Sequence, residues 1–191
     1  MGRNLIIIGA GGHAKACVDL IEENGEYNII GALDDNRDDG LLSYPIIGKI
    51  SKMTDHFTRL SNFVIAIGQI RTDETRKAIF DRLYGAKQNI PNIISKKASV
   101  SHYAQIGVGV QIFPFAFIGV DSKIGDNCII NTKALIEHDC VIGNNVHIAP
   151  GACVIGGINI CDGVFVGSNS TVIDHITEPG VYVGSPARRL K

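Results

Sequence analysis

An aliphatic residue returns every six positions through the C-terminal half of this 191-residue chain, without a break. A period of six does not fit the 3.6-residue period of a helix, and unbroken self-similarity is typical of repeat architectures. All fourteen members of the series are isoleucine or valine: Ile94, Val100, Ile106, Ile112, Ile118, Ile124, Ile130, Ile136, Ile142, Ile148, Val154, Ile160, Val166 and Val172.

A second series of mostly small residues lies four positions after each aliphatic residue, and so two positions before the next one. Residues two apart in a strand point to the same side, so both series should face one interior. Glycine, asparagine and aspartate between the series suit corners. Each hexad therefore predicts one flat side of a prism. The second series is Ala98, Ala104, Val110, Ala116, Ser122, Cys128, Ala134, Cys140, Val146, Ala152, Ile158, Val164, Ser170 and Ile176.

The first ninety residues show a different pattern, in which apolar strand-like runs alternate with helical ones. This alternation indicates a small parallel α/β sheet. We therefore predict two domains, 1–92 and 93–191, joined near Ile90-Pro91-Asn92. The predicted elements are a strand at 4–8, a helix ending at Gly25, a strand at 28–33, a helix at 49–60, a strand at 63–67 and a helix at 72–84.

A glycine-rich string, Gly9-Ala10-Gly11-Gly12-His13-Ala14, separates the first strand from the first helix. Backbone N–H groups at such a helix start favour an anionic phosphate. The string also satisfies the G-x-G-x-x-A pattern of NAD-dependent dehydrogenases. A dinucleotide fold needs two mononucleotide halves, and about ninety residues are too few for both. The sequence thus favours a mononucleotide site, with a dehydrogenase as the alternative.

Composition narrows the class of protein further. The net charge of −1 does not suggest a nucleic-acid or membrane-surface partner. No apolar run reaches the roughly 18–20 residues that cross a bilayer. Five cysteines without a CxxC pair fit a reducing, cytoplasmic setting. His56, His102 and His175 have no partner at metal-ligand spacing, so no metal is predicted.

The hexads resemble the left-handed β-helix of the hexapeptide-repeat acyltransferases, in which three hexads make one coil. With the glycine string, Leu33-Asp34-Asp35 and Ile65-Ala66-Ile67-Gly68, the whole chain resembles the sialic acid O-acetyltransferase family. That family includes enzymes that N-acetylate UDP-4-amino-sugars in bacterial glycan synthesis. The resemblance implies an N-terminal Rossmann-like α/β domain, a C-terminal left-handed parallel β-helix, and acetyl-CoA as co-substrate.

The resemblance also implies catalytic residues. His138 matches the family's general base, and Asp139 matches an acidic group that orients its ring. As the third residue of its hexad, His138 should project from a corner or an outer surface. Cys140 should face inward, so no acetyl-cysteine intermediate is expected. By the same resemblance, acetyl-CoA is bound by His147, Gly156, Gly167 and Ser168.

The acceptor site is implied in the first domain. Gly11, Gly12 and His13 match residues that hold a sugar-nucleotide diphosphate, and Asp34 and Asp35 match residues that read the base and ribose. Gly68 and Arg71 should lie at the same rim of the sheet. Arg188 and Arg189 could attract the acidic nucleotide of CoA, although a flexible basic tail explains them equally well.

His138 and His147 lie nine residues apart, which is half a coil, so their rings should not converge within one prism. An active site that combines residues of adjacent subunits in a homotrimer is therefore expected, as in the family. Outward-pointing Phe113, Phe115 and Phe117 would also require a partner surface.

The expected function is N-acetylation of a nucleotide-activated amino sugar of the UDP-4-amino type. O-acetylation of sialic acid or CMP-sialic acid is the alternative within the same enzyme class, because one base serves either nucleophile. A non-catalytic scaffold that binds nucleotide sugars is a third possibility.

Overall fold

The computed structural model describes residues 3–56, 61–69 and 74–190, and these form two compact units. Within the described residues, the first unit comprises 3–56, 61–68 and 75–91. The second comprises 92–190 together with residues 69 and 74. Each unit has a hydrophobic cluster of its own.

The first unit contains one four-stranded parallel sheet. Its elements are β1 (Arg3–Ile8), α1 (Gly12–Asn24), β2 (Tyr27–Leu33), β3 (Ile46–Gly48), a 3₁₀ helix (Ile50–His56), β4 (Asn62–Ile65) and α2 (Glu74–Gly85). The strand order is β3-β2-β1-β4, so β1 lies between β2 and β4. The carboxyl ends of these three strands meet at one edge, where open α/β sheets bind ligands.

The predicted strands and helices of the first unit are present, with boundaries shifted by a few residues. Helix α1 ends as predicted at Gly25, whose φ of 68° terminates it and whose N–H donates to the carbonyl of Ile21. The helix predicted at 49–60 is a 3₁₀ helix, and its residues 57–60 lie outside the described chain. Strand β3 was missed because three residues are too few to show a period.

The four strands present among the described residues of the first unit are fewer than two mononucleotide halves require, which favours the mononucleotide interpretation of the glycine string. Among the described helices, none has both the length and the apolarity needed to cross a membrane.

Short strands form the three walls of the second unit, and they pair in parallel except for the last strand, which pairs antiparallel with its neighbour. They are β5 (Ile93–Ile94), β6 (Ser99–Val100), β7 (Gln105–Ile106), β8 (Gln111–Ile112), β9 (Phe117–Ile118), β10 (Lys123–Ile124), β11 (Ile129–Ile130), β12 (Leu135–Ile136), β13 (Val141–Ile142), β14 (His147–Ile148), β15 (Cys153–Val154), β16 (Asn159–Ile160), β17 (Val164–Val166), β18 (Thr171–Val172), β19 (Gly180–Val183) and β20 (Arg188–Arg189). The sheet orders are β20-β19-β17-β14-β11-β8-β5, β18-β15-β12-β9-β6 and β16-β13-β10-β7.

Residues eighteen apart pair in these walls, as Ile124 does with Ile142. Three hexads therefore make one coil, as predicted. Every member of the aliphatic series lies in a strand, and all from Ile112 onward are buried. The second series is buried from Val110 onward. Ile94, Val100 and Ile106, in the first coil, are only partly buried against the same core.

The corners of the prism share one backbone conformation. Eleven corner positions, one every six residues, have a left-handed φ. They are Gly109, Phe115, Asp121, Asn127, Lys133, Asp139, Asn145, Gly151, Gly157, Gly163 and Asn169. Glycine, asparagine and aspartate adopt this conformation more readily than other residues, which explains their recurrence in the sequence.

The outer face of the seven-stranded sheet corrects one prediction. Phe113, expected to point outward into a partner surface, is 3% exposed, whereas Phe115 and Phe117 are exposed. Gln111 and Ile129, at outward positions of the same sheet, are also buried. The part of this wall around these residues is therefore covered on both sides, which a hexad pattern cannot reveal.

Candidate active site

His138 and Asp139 form a hydrogen-bonded pair at the corner that follows β12. Nδ1 of His138 is 2.7 Å from Oδ2 of Asp139, and the two side chains are 58% and 63% exposed. An ionised carboxylate only accepts hydrogen bonds, so Nδ1 carries the proton in the neutral tautomer that this contact selects, and the lone pair of that tautomer lies on Nε2. The pair thus has the arrangement of a general base and the acid that orients it.

The corner conformation places the short Asp139 side chain within reach of the ring. Asp139 has a φ of 59°, and its N–H donates to the carbonyl of Val120 on the preceding coil at 3.0 Å. The carboxylate is therefore held by a backbone that repeats at every corner, and an aspartate is long enough to bond the imidazole.

Gly156 lies one coil after His138 and leaves room for its ring. A Cβ at position 156 would be 2.6 Å from Cε1 and 2.7 Å from Nε2 of His138. The carbonyl of His138 accepts the N–H of Gly157 at 2.8 Å. The sequence implied a contact of Gly156 with acetyl-CoA; the structure adds that any larger residue here would meet the imidazole.

His147 lies on another wall, in β14 of the seven-stranded sheet, and is 6% exposed. Its Nδ1 is 2.6 Å from the carbonyl oxygen of Gln69, and its Nε2 is 3.2 Å from Nδ2 of Asn131. The ring also meets Phe165 edge-on, with centroids 5.0 Å apart. The structure therefore does not bring His147 and His138 of one chain together.

The tautomer of His147 follows from these neighbours. Oδ1 of Asn131 accepts the N–H of Thr132 at 2.8 Å, which turns Nδ2 toward the ring. Nε2 of His147 consequently accepts a hydrogen bond, and Nδ1 donates one to Gln69. Sequence reasoning missed Asn131 and Gln69; for Asn131 the 18-residue coil spacing, which places it near residues 147–149, was the available signal.

Cys140 faces inward as expected. It is fully buried, its Sγ donates to the carbonyl of Ile155 at 3.2 Å, and burial raises the pKa of its thiol. A buried thiol with a raised pKa is a poor nucleophile, which supports transfer without an acetyl-cysteine intermediate.

The remaining residues assigned to acetyl-CoA have different surroundings. Gly167 is buried, and a Cβ there would be 2.7 Å from Cγ1 of Val183, so close packing explains this glycine; Ser168 is exposed. Arg188 and Arg189, considered for the CoA nucleotide, are ion-paired with Asp174 and Glu178.

The glycine string lies at the carboxyl edge of the first unit's sheet and runs into the first turn of α1, which begins at Gly12. Gly9 has a φ of 100°, and a Cβ there would be 2.8 Å from Cγ1 of Ile67, so the fold itself requires this glycine. Gly11 and Gly12 are exposed, and a Cβ on either would meet no atom within 4 Å. Gly11 precedes α1 without a side-chain cap.

Two of the other predicted acceptor residues approach this string. Gly68 lies against His13, since a Cβ added to Gly68 would be 3.5 Å from Cβ of His13. Oδ2 of Asp34 accepts the N–H of Ala10 at 2.8 Å. Asp35 turns elsewhere, since its Oδ1 accepts the N–H of Ser51 at 3.3 Å. Arg71 lies outside the described residues.

Among the described side chains, no group of three His, Cys, Asp or Glu residues is arranged to hold a metal ion.

Comparisons with known proteins agree with this architecture. Residues 4–83 match the PglD N-terminal domain, and residues 121–156 match the bacterial transferase hexapeptide (six repeats). The acetyltransferase domain of PglB from Neisseria gonorrhoeae is 27% identical, with a TM-score of 0.87 over 99% of this chain and 100% of that one. Its complex with acetyl coenzyme A is 26% identical, with a TM-score of 0.82 and complete coverage of both chains.

PerB from Caulobacter crescentus, solved with CoA and GDP-perosamine, is 27% identical, with a TM-score of 0.81 over 98% of this chain and 97% of that one. The likeness thus spans both units and includes the repeat region with His138. Residues 4–83 are thus similar to a PglD N-terminal domain, hexapeptide repeats follow them, and the chain as a whole resembles acetyltransferases of this architecture, as the sequence predicted.

Proposed function

We propose that this enzyme transfers the acetyl group of acetyl-CoA to the amine of a nucleotide-activated amino sugar, of the UDP-4-amino type, for bacterial surface-glycan synthesis. The observation that carries the proposal is the His138–Asp139 pair, whose Nε2 is left basic beside the space at Gly156. The structural relatives solved with acetyl coenzyme A and with CoA and GDP-perosamine support acetyl-CoA as the donor and a nucleotide-activated amino sugar as the acceptor class.

In the proposed reaction, the sugar amine attacks the thioester carbonyl and Nε2 of His138 takes the proton that the amine loses. The new bond is C–N, the broken bond is C–S, and CoA leaves as the thiol after protonation. Asp139 holds the ring in one tautomer and stabilises the imidazolium that forms. His138 needs no covalent intermediate for this role.

The proposed acceptor site uses the glycine string of the first unit. The fold requires Gly9 but does not require glycine at positions 11 and 12, where a side chain would meet open space. Glycines that the fold does not need are explained by close approach of a ligand to the backbone. A phosphate fits that role, because helix α1 begins there without a side-chain cap.

Gly12→Ala should weaken binding of the nucleotide sugar without destabilising the fold. Alanine in the first turn of α1 is favoured over glycine by up to about 1 kcal/mol, so the melting temperature should stay or rise. The methyl group should obstruct the phosphate and raise KM for the nucleotide sugar, with KM for acetyl-CoA unchanged. Thermal unfolding and steady-state kinetics measure both; an unchanged acceptor KM would remove this site from the proposal.

Asp139→Asn should lower kcat about tenfold, the effect of a charge-assisted hydrogen bond of roughly 1.5 kcal/mol. Asparagine is compatible with the left-handed backbone at position 139, because it already occupies the equivalent corners at positions 127, 145 and 169. Stability should therefore be retained. Wild-type kcat in the folded variant would show that Asp139 does not assist the base.

A homotrimer with active sites between subunits is part of the proposal. The face and edge that carry His138 also expose apolar side chains: Phe117, Val120, Ile155 and Ile173. Exposed apolar side chains on one face and edge favour a protein partner. Light scattering should give three times the chain mass, and a fully active monomer would contradict shared sites.

The proposal includes a cytoplasmic location, supported by five cysteine thiols.

The proposed reaction is tested by incubating the enzyme with acetyl-CoA and a UDP-4-amino-sugar, a GDP-4-amino-sugar or CMP-sialic acid. The expected product is an acetamide that resists hydroxylamine. An ester, which hydroxylamine cleaves, formed only from the sialic acid, would support O-acetylation. Binding of nucleotide sugar with no release of CoA thiol from any acceptor would support a non-catalytic scaffold.

A further inference from the structure

Arg37 lies beside the glycine string, although sequence reasoning gave it no role. Its Nη1 donates to the carbonyl oxygen of Ala10 at 2.9 Å, across 27 residues of chain. Its Nε and Nη2 hold the carboxylate of Asp39 at 2.8 and 2.6 Å. The guanidinium is therefore fixed in two directions, by an acid on its own loop and by the backbone of the glycine string.

Asp34 binds the backbone N–H of Ala10, the residue whose carbonyl oxygen is bound by Arg37. Its Oδ2 accepts the N–H of Ala10 at 2.8 Å, while its Oδ1 accepts the N–H groups of Asn36 and Arg37 at 2.8 and 3.0 Å. Residues 34–39, which we call the clamp loop, thus form hydrogen bonds with both the N–H and the carbonyl of Ala10.

These two hydrogen bonds fix the orientation of two consecutive peptide planes. The N–H of Ala10 belongs to the Gly9–Ala10 peptide, and its carbonyl belongs to the Ala10–Gly11 peptide. In a planar trans peptide the carbonyl and the N–H point in opposite directions. With the carbonyl of Ala10 turned to Arg37, the N–H of Gly11 is directed away from the clamp loop. Gly9 is anchored as well, since its N–H donates to the carbonyl of Leu33 at 2.8 Å.

The glycine string would otherwise be expected to sample many conformations, because glycine restricts the backbone least. A binding loop that is ordered before its ligand arrives loses less conformational entropy on binding. The hydrogen bonds from the clamp loop therefore restrict the backbone conformation of the glycine string, which its own residues restrict little.

We propose that Arg37 and Asp34 are positioning residues for the nucleotide sugar. They set the orientation of the peptides that meet its phosphates, and Asp34 acts through Ala10 instead of contacting the base or ribose. This inference rests on the proposed function, in which the glycine string binds the acceptor. Asp39 has the lesser role of holding the guanidinium.

Arg37→Met tests the inference, with Arg82→Met as the matched control. Arg82 lies in α2, and its guanidinium also donates to a backbone carbonyl, that of Ser51, at 3.4 and 3.5 Å. Arg37→Met should raise KM for the nucleotide sugar roughly 10- to 100-fold, as loss of a charge-assisted hydrogen bond predicts. Its kcat and its KM for acetyl-CoA should stay within about threefold, and Arg82→Met should leave all three near wild type.

Arg37→Lys should recover part of the acceptor affinity, because an ammonium group can still donate to the carbonyl of Ala10. In the unliganded protein, hydrogen exchange at the Ala10 amide should be faster in Arg37→Met than in wild type, a change that needs no substrate. Equal acceptor KM in Arg37→Met and wild type would overturn the inference alone. Failure of the wild type to bind any nucleotide sugar would overturn the proposed function and this inference with it.

Discussion

Replacing His138 by alanine should lower kcat about 10²- to 10⁴-fold, the range that a general base contributes. KM for acetyl-CoA and for the acceptor should change little, because the imidazole is proposed to act on the proton of the amine. The side chain is 58% exposed, so the free energy of unfolding should change by no more than about 0.5 kcal/mol. Steady-state kinetics and thermal unfolding of the same preparation measure these quantities.

His102→Ala is the matched control for this variant. His102 lies at the same corner of the prism two coils earlier and is also exposed, and its ring packs against that of Tyr103 at an angle of 40°, with centroids 3.9 Å apart. Its removal should leave kcat within about threefold of wild type, as expected for surface substitutions. A loss of less than tenfold in His138→Ala, or equal losses in both variants, would contradict the assignment of the base.

Gly156→Ala should lower kcat about 10- to 100-fold by displacing the base, since a misplacement of about 1 Å can have an effect of that order. The new methyl carbon would lie 2.6–2.7 Å from two atoms of the His138 ring. The backbone at 156 is not left-handed, so alanine is compatible with it. The ring is the end of a flexible side chain and can move, so we expect the fold to survive while the His138–Asp139 hydrogen bond is lost.

Gly157→Ala separates this effect from backbone strain. Gly157 has a φ of 74° and open space where its Cβ would be, so alanine should destabilise the protein by about 1–2 kcal/mol without a contact between the new methyl group and the His138 ring. Gly156→Ala should therefore lower kcat, whereas Gly157→Ala should lower the free energy of unfolding. If Gly156→Ala changes only KM for acetyl-CoA, its role is contact with the donor and the base is not displaced.

The repeat region was predictable because its structure is periodic. A six-residue period determines which side chains point inward, so His138 could be placed at an outer corner from sequence. The number of hexads in one coil was implied by the family resemblance. The hand of the helix came from family resemblance, since spacing does not distinguish left from right. The buried position of Phe113 escaped prediction because a hexad pattern describes only the inner surface of a wall.

Contacts that join distant parts of the chain were not predictable. His147 bonds Gln69 across 78 residues, and Asp34 and Arg37 reach Ala10 across 24 and 27 residues. No local pattern of charge or hydrophobicity encodes such pairs. The resemblance implied that Asp34 and Asp35 read the base and ribose; in the folded chain the carboxylate of Asp34 accepts a hydrogen bond from the glycine string and that of Asp35 accepts one from Ser51.

Base-assisted transfer to an amino sugar is tested most directly by the rate of CoA-thiol release. The rate is measured at saturating acetyl-CoA as a nucleotide-activated 4-amino-sugar is added, with wild type and His138→Ala compared side by side. We expect saturable, acceptor-dependent release by the wild type and a loss of at least about 10²-fold in the variant. Acceptor-dependent release that is the same in both proteins, or no release from any amino sugar, would contradict the proposed reaction.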